Sequence, residues 1–174
     1  MEYHSEKLKM TQEWETSRKF GVVVFVLDQD NRVLVLREKE EDKKTGRKIG
    51  DYSVICEKRR HAEAWLGNIN RGLNEELGID PQDLRHFLNL DEKIVWETGF
   101  VKGVWATAAV IRCNNPQGLL ESVGKDRGCD GVEIVGWKTL AEFKNLSPIR
   151  EGVLNILNKF EKDIFLNNEK INLN

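Results

Sequence analysis

The chain is poor in cysteine, has almost no net charge and lacks a long hydrophobic run, and each shortage argues against a class of protein. Its three cysteines, Cys56, Cys113 and Cys129, are odd in number and lack CxxC spacing, so reduced thiols are expected rather than a disulfide framework. With 27 basic and 29 acidic residues the formal charge is -2, and no global excess draws the chain to nucleic acid or an anionic membrane. The longest apolar run, Val22 to Leu27, is too short to cross a bilayer. Met1 to Phe20 is polar and charged and has no apolar stretch of the kind that directs secretion, so a cytoplasmic protein without a membrane partner is expected. Internal repeats and low-complexity linkers are also missing. What remains is 174 residues, 40% of them hydrophobic, which is the size and composition of one domain with its own core.

Local patterns give that domain an order of elements. GVVVFVLD (21–28) and RVLVLRE (32–38) are β-branched runs separated by the turn signal QDN, and they predict a hairpin. EKEEDKKTGRKIG (38–50) reads as a charged, flexible loop, and DYSVICEK (51–58) as one short strand returning to the sheet. HAEAWLGNINRGLNEELGID (61–80) then reads as an amphipathic helix of about four turns. Leu66, Ile69, Leu73 and Leu77 form its core stripe, and Gly78 occupies the left-handed position that ends it. Positions 72, 75 and 76 are placed by the same spacing on the opposite face, with Glu75 and Glu76 projecting from the last turn. Periodicity supports α+β or α/β and goes no further.

Glu63, Arg71, Leu73, Glu75, Glu76, Gly78 and Ile79 fall in register with G-x5-E-x7-R-E-U-x-E-E-x-G-U, where U is aliphatic. This segment resembles the Nudix box. Two specified positions depart from it: Glu57 stands at the leading glycine, and Gly72 stands at the glutamate after the arginine. VEIVGWKTLAEFKNLS and IREGVLNILNKF are similar to the family's closing strand, turn and last helix, with Trp137, Leu140 and Phe143 as anchors. The resemblance implies an α/β/α sandwich around a mixed central sheet. It divides the chain into an N-terminal extension (1–19), a Nudix-like domain (20–160) and a polar C-terminal tail (161–174).

The family's chemistry is hydrolysis of a diphosphate bond in a nucleoside diphosphate derivative, which calls for Mg²⁺ or Mn²⁺ on carboxylate oxygens. Carried over by position, Glu75 and Glu76 are the expected metal ligands, Arg71 holds a box carboxylate and Glu63 supports it. Gly72 can neither bind metal nor take a proton, so a substitute base is expected. Glu57 is the first candidate, ahead of Asp130, Glu133, Glu92 and Glu97. Arg59 and Arg60, beside Lys58, are expected to meet substrate phosphate, and Glu133 is placed with them among the expected substrate-binding residues. His61 reads as solvent-facing and Trp65 and Trp105 as core, while Trp96 and Phe100 are the better candidates to stack on a base.

Three readings follow from the resemblance. The first is a metal-dependent pyrophosphohydrolase with an atypical box. The second is a Nudix-fold nucleotide-binding or sensing module. The third is an isopentenyl diphosphate isomerase-like enzyme, for which Cys56 stands at the catalytic cysteine while Lys58 replaces the expected histidine. The implied partner is a small nucleotide or diphosphate compound. An RNA cap or RNA end stays open as a substrate, and the N-terminal segment leaves a homodimer open.

Overall fold

The computed structural model describes residues 20–165, so expectations about the N-terminal extension lie outside the described residues. Strands β1 (Gly21–Leu27) and β2 (Val33–Glu38) form the expected antiparallel hairpin, closed at Leu27↔Val33. DYSVICEK, expected as one strand, is divided at Val54. β3 (Tyr52–Ser53) pairs with β2, and β4 (Ile55–Lys58) crosses to pair with β1, setting Val22 opposite Glu57. Helix α1 (Trp65–Leu77) and the short α2 (Pro81–Leu84) lead to β5 (Leu88–Val101) and β6 (Val104–Cys113). After α3 (Pro116–Ser122) come β7 (Val132–Lys138), α4 (Leu140–Asn145) and α5 (Glu151–Phe165). The seven strands make one mixed sheet ordered β3-β2-β1-β6-β5, with β4 also paired to β1 and β7 to β2; β1 and β6 run parallel and the remaining pairs are antiparallel.

Alternation along β1 explains why its apolar run is continuous. Val22, Val24 and Val26 pack with Ile69, Leu73 and Leu77 of α1, whereas Val23, Phe25 and Leu27 pack with Val153, Ile156 and Leu157 of α5. A strand buried on both faces must be apolar at every position. The result is an α/β/α sandwich with one core layer on each side of the sheet. None of the described helices is long and apolar enough to cross a membrane.

Two sequence expectations about helices change. α5 kinks at Phe160 but continues to Phe165, and Ile164 and Phe165 are buried, so the packed domain passes the boundary placed at 160. In α1 the buried stripe is Asn68, Ile69, Gly72, Leu73, Glu76 and Leu77, while Leu66 is 43% exposed. Gly72 and Glu76 therefore do not lie on the outer face. They share the inner stripe with the leucines, because the helix lies over β1 and β4 and must present 69, 72, 73, 76 and 77 to them. Gly78 does end the helix in the left-handed region, at φ 65°, with its N–H donating to the Asn74 carbonyl.

Candidate active site

Arg71 organises the acidic residues around α1. Its Nη1 meets Glu57 Oε1 at 2.8 Å and Glu75 Oε2 at 2.9 Å, and its Nε donates to Glu63 Oε1 at 2.8 Å. Its Nη2 donates to Glu63 Oε2 at 2.9 Å and also to the Lys58 carbonyl, which ties the helix to the end of β4. Hydrogen bonding to Glu63 is the largest influence keeping the guanidinium cationic, and Arg71 in return holds the Glu63 carboxyl below the usual carboxylate range. Arg71 and Glu63 are thus brought together as a bidentate ion pair.

The two departures from the motif meet in space. A Cβ added at Gly72 would stand 2.8 Å from Glu57 Cβ, 3.5 Å from Glu57 Cγ and 3.5 Å from Ile55 Cγ2. The stem of Glu57 therefore fills the room that a side chain on the helix would need. From there Glu57 lines a cavity of about 190 Å³ together with Glu76, Cys56, Lys58, Arg47 and Arg150.

Glu76 is 3% exposed and accepts the Cys56 backbone N–H on Oε2 at 3.2 Å. Burial, followed by the charges of Glu38 and Glu57, pushes its carboxyl well above the usual range. Glu75, its neighbour in sequence, is placed differently: Oε2 takes Arg71, and Oε1 takes Arg60 Nη2 at 2.8 Å. Of the expected ligand pair, only Glu76 lines the cavity, and Glu57 replaces Glu75 beside it.

The other expected residues are dispersed. Arg59 donates from Nε to the Glu63 carbonyl at 3.0 Å, and Arg60 is spent on Glu75, so both brace the loop before α1. Glu133 is exposed on β7 opposite Arg37, and neither Glu92 nor Glu97 lines the cavity. Asp130 does line it, beside its ion pair with Arg127. His61 is exposed, as expected. Phe100 is buried with its ring stacked 4.4 Å from Phe20, and Trp96 lies against Phe160, so both serve the core on the α5 side instead of a base. Trp105, expected in the core, is 56% exposed, whereas Trp65 packs against the core on the α1 side.

Sequence reading singled out Lys58 and missed the cavity's other cations, Arg47 and Arg150. Arg150, 2% exposed, meets Glu38 Oε1 at 2.8 Å, and the same carboxylate takes Arg47 on its other oxygen. Arg47 Nη2 also donates to the Gly131 carbonyl at 2.7 Å, and Lys58 pairs with Asp42. The 38–50 loop, expected to be a flexible tip, is thereby tied over the cavity. Its partners lie far apart in the chain, and no local spacing announces them.

Mg²⁺ is commonly held by one or two carboxylates together with waters and substrate phosphate, with no complete protein cage required. Glu57 and Glu76 are such donors, and the raised proton affinity of Glu76 suits a group that a cation would relieve, so the residues fit this ion or Mn²⁺. Among the described residues no three His, Cys, Asp or Glu side chains stand together as a metal-binding group. Cys56 fits its role in the isomerase-like reading poorly: burial pushes the thiol up to about 12, far from a reactive thiolate.

Neither a family model nor a curated protein matches the sequence. Among solved structures the chain is similar to a MutT from the pair studied in Aliivibrio salmonicida and Vibrio cholerae, at 13% identity and a TM-score of 0.51, covering 85% of this chain and 98% of that one. It is also similar to a bifunctional NMN adenylyltransferase/ADP ribose pyrophosphatase from Francisella tularensis, at 15% identity and a TM-score of 0.51, covering 90% of this chain. The chain spans about half the length of the bifunctional enzyme, 45% in that comparison and 48% in the AMP-complexed structure. These likenesses define an α/β/α protein with the Nudix fold.

Proposed function

We propose that the protein is a pyrophosphohydrolase that cleaves a diphosphate bond in a small nucleoside diphosphate derivative with Mg²⁺ or Mn²⁺. The observation that carries this reading is the cavity in which the carboxylates of Glu57 and Glu76 face Arg47, Lys58 and Arg150. When bound there, the divalent ion neutralises phosphate charge and acidifies a water. Glu57 and Glu76 would hold it, Arg71 fixes Glu57 from the side of the helix, and Lys58 and Arg47 would attract the anionic substrate. In hydrolysis the oxygen of water bonds to phosphorus, a cavity carboxylate takes the released proton, and the bridging P–O electrons leave with the departing phosphate.

A nucleotide-binding or sensing module is the second reading, and one observation favours it. The two arginines that engage Glu75 remove a carboxylate that the motif would assign to metal. Turnover separates the two readings. Purified protein assayed on a mixed panel of nucleoside diphosphate derivatives with Mg²⁺ or Mn²⁺ is expected to hydrolyse at least one, and Glu76→Gln is expected to reduce that rate at least a hundredfold. Nucleotide binding without turnover on any compound would favour the sensing module.

A further inference from the structure

We propose that Glu57 and Gly72 are an exchanged pair, in which strand β4 supplies, from the place of a motif glycine, the carboxylate that helix α1 would otherwise supply from position 72. The inference rests on the hydrolase reading for its chemistry and on packing for its geometry.

The packing is specific. Glu57 Cβ lies 2.8 Å from where a Cβ on Gly72 would stand, so side chains at both positions cannot coexist without movement of strand or helix. Glu57 is held in register opposite Val22 on β1, and the neighbouring Arg71 is bonded to the Lys58 carbonyl, so neither backbone is free to yield. The glutamate at 57 thus requires the glycine at 72. Glycine on the helix makes room for a glutamate on the strand, and that glutamate enters the cavity beside Glu76. Gly72 and Glu76 are one turn apart on the inner stripe of α1, so a glutamate in either location of the exchanged pair would be brought to the same buried carboxylate.

A second observation marks the cavity as a place for a ligand. Arg150 lines it, is 2% exposed, and keeps a buried Nε without a hydrogen-bond partner. Buried donors of this kind are ordinarily satisfied in folded proteins.

The test compares the wild type with Glu57→Gln, Glu57→Gly, Gly72→Glu and the double variant Glu57→Gly/Gly72→Glu. Mn²⁺ affinity is measured by calorimetry, folding by thermal melting, and turnover on the best substrate of the panel. Glu57→Gln, which preserves the packed stem, is expected to melt near the wild type and to bind Mn²⁺ at least tenfold more weakly. Glu57→Gly is expected to lose the same affinity and about a hundredfold in rate. Gly72→Glu alone is expected to melt lower through the clash, and the double variant to recover both the melting temperature and Mn²⁺ affinity to within threefold of wild type. A folded double variant that binds Mn²⁺ no better than Glu57→Gly would overturn the exchange, as would a Glu57→Gln protein with wild-type affinity. Wild-type protein that binds Mn²⁺ yet hydrolyses nothing would overturn the hydrolase reading alone, whereas absence of Mn²⁺ binding would overturn both.

Discussion

Replacing Gly72 with alanine isolates the packing half of this account, because it adds one methyl group and no charge. In an exposed helix this change stabilises by about 1 kcal/mol, since glycine loses more backbone entropy on folding than alanine does. Here the new Cβ would meet Glu57 Cβ at 2.8 Å, well inside the comfortable carbon separation of about 3.5 Å or more. The strand cannot withdraw, because β4 is paired with β1 at Glu57 and its neighbours. Overpacking of this kind costs about 1–3 kcal/mol, so the net effect of Gly72→Ala ranges from neutral to a loss of about 2 kcal/mol. For a domain of this size each kcal/mol moves the melting temperature by about 2–4 °C. In a Glu57→Gly background the obstructing stem is gone, and the next neighbour, Ile55 Cγ2 at 3.5 Å, is in ordinary contact. There the same substitution should raise the melting temperature by about 3 °C. Scanning calorimetry on the four proteins of this cycle gives the coupling energy, which is expected to be about 2 kcal/mol. Equal stabilisation by Gly72→Ala in both backgrounds would refute the claim that the two sites compete for one space.

Three further outcomes follow from the same geometry. The Glu76 carboxyl is raised in the folded protein, so its burial lowers stability as pH rises above the ordinary carboxylate range; metal-free Glu76→Gln should gain in melting temperature relative to wild type between pH 4 and pH 7, and a gap that narrows over that range would contradict this. Leu73→Ala should destabilise by about 2–5 kcal/mol and Leu66→Ser by less than about 0.5 kcal/mol in chemical denaturation, because the first is fully buried and the second projects from α1. Cys56 and Cys113, buried and with thiols pushed up to about 12 and about 11, should resist a thiol reagent until the protein unfolds, with the half-buried Cys129 reacting first; early loss of Cys56 by mass mapping would revive the isomerase-like reading.

Much of the fold was legible because it rests on local rules. The β-branched runs around QDN made a hairpin, and Gly78 ended α1 in the left-handed region. The motif spacing also pointed to Arg71 and Glu63, which the structure joins in an ion pair. Rotation of the helix was harder to read. Leu66 fits the apolar period as well as Ile69 does, and only contact with β1 and β4 decides that 72 and 76 turn inward. The separation of Glu75 from Glu76 was hidden for a related reason: adjacent glutamates on a helix diverge by about 100°, and Arg60, reached through the preceding loop, pairs with the outer one. Glu38 and Arg150 are 112 positions apart, so their ion pair leaves no trace in local spacing. The clue that could have been used is the pair of departures itself, because a glycine and a glutamate had changed places between strand and helix.

The most direct measurement is an anomalous difference map from crystals soaked in Mn²⁺. The account predicts one strong peak in coordinating contact with carboxylate oxygens of both Glu57 and Glu76. A peak held by Glu75 without Glu57, or none in this cavity at saturating Mn²⁺, would contradict it.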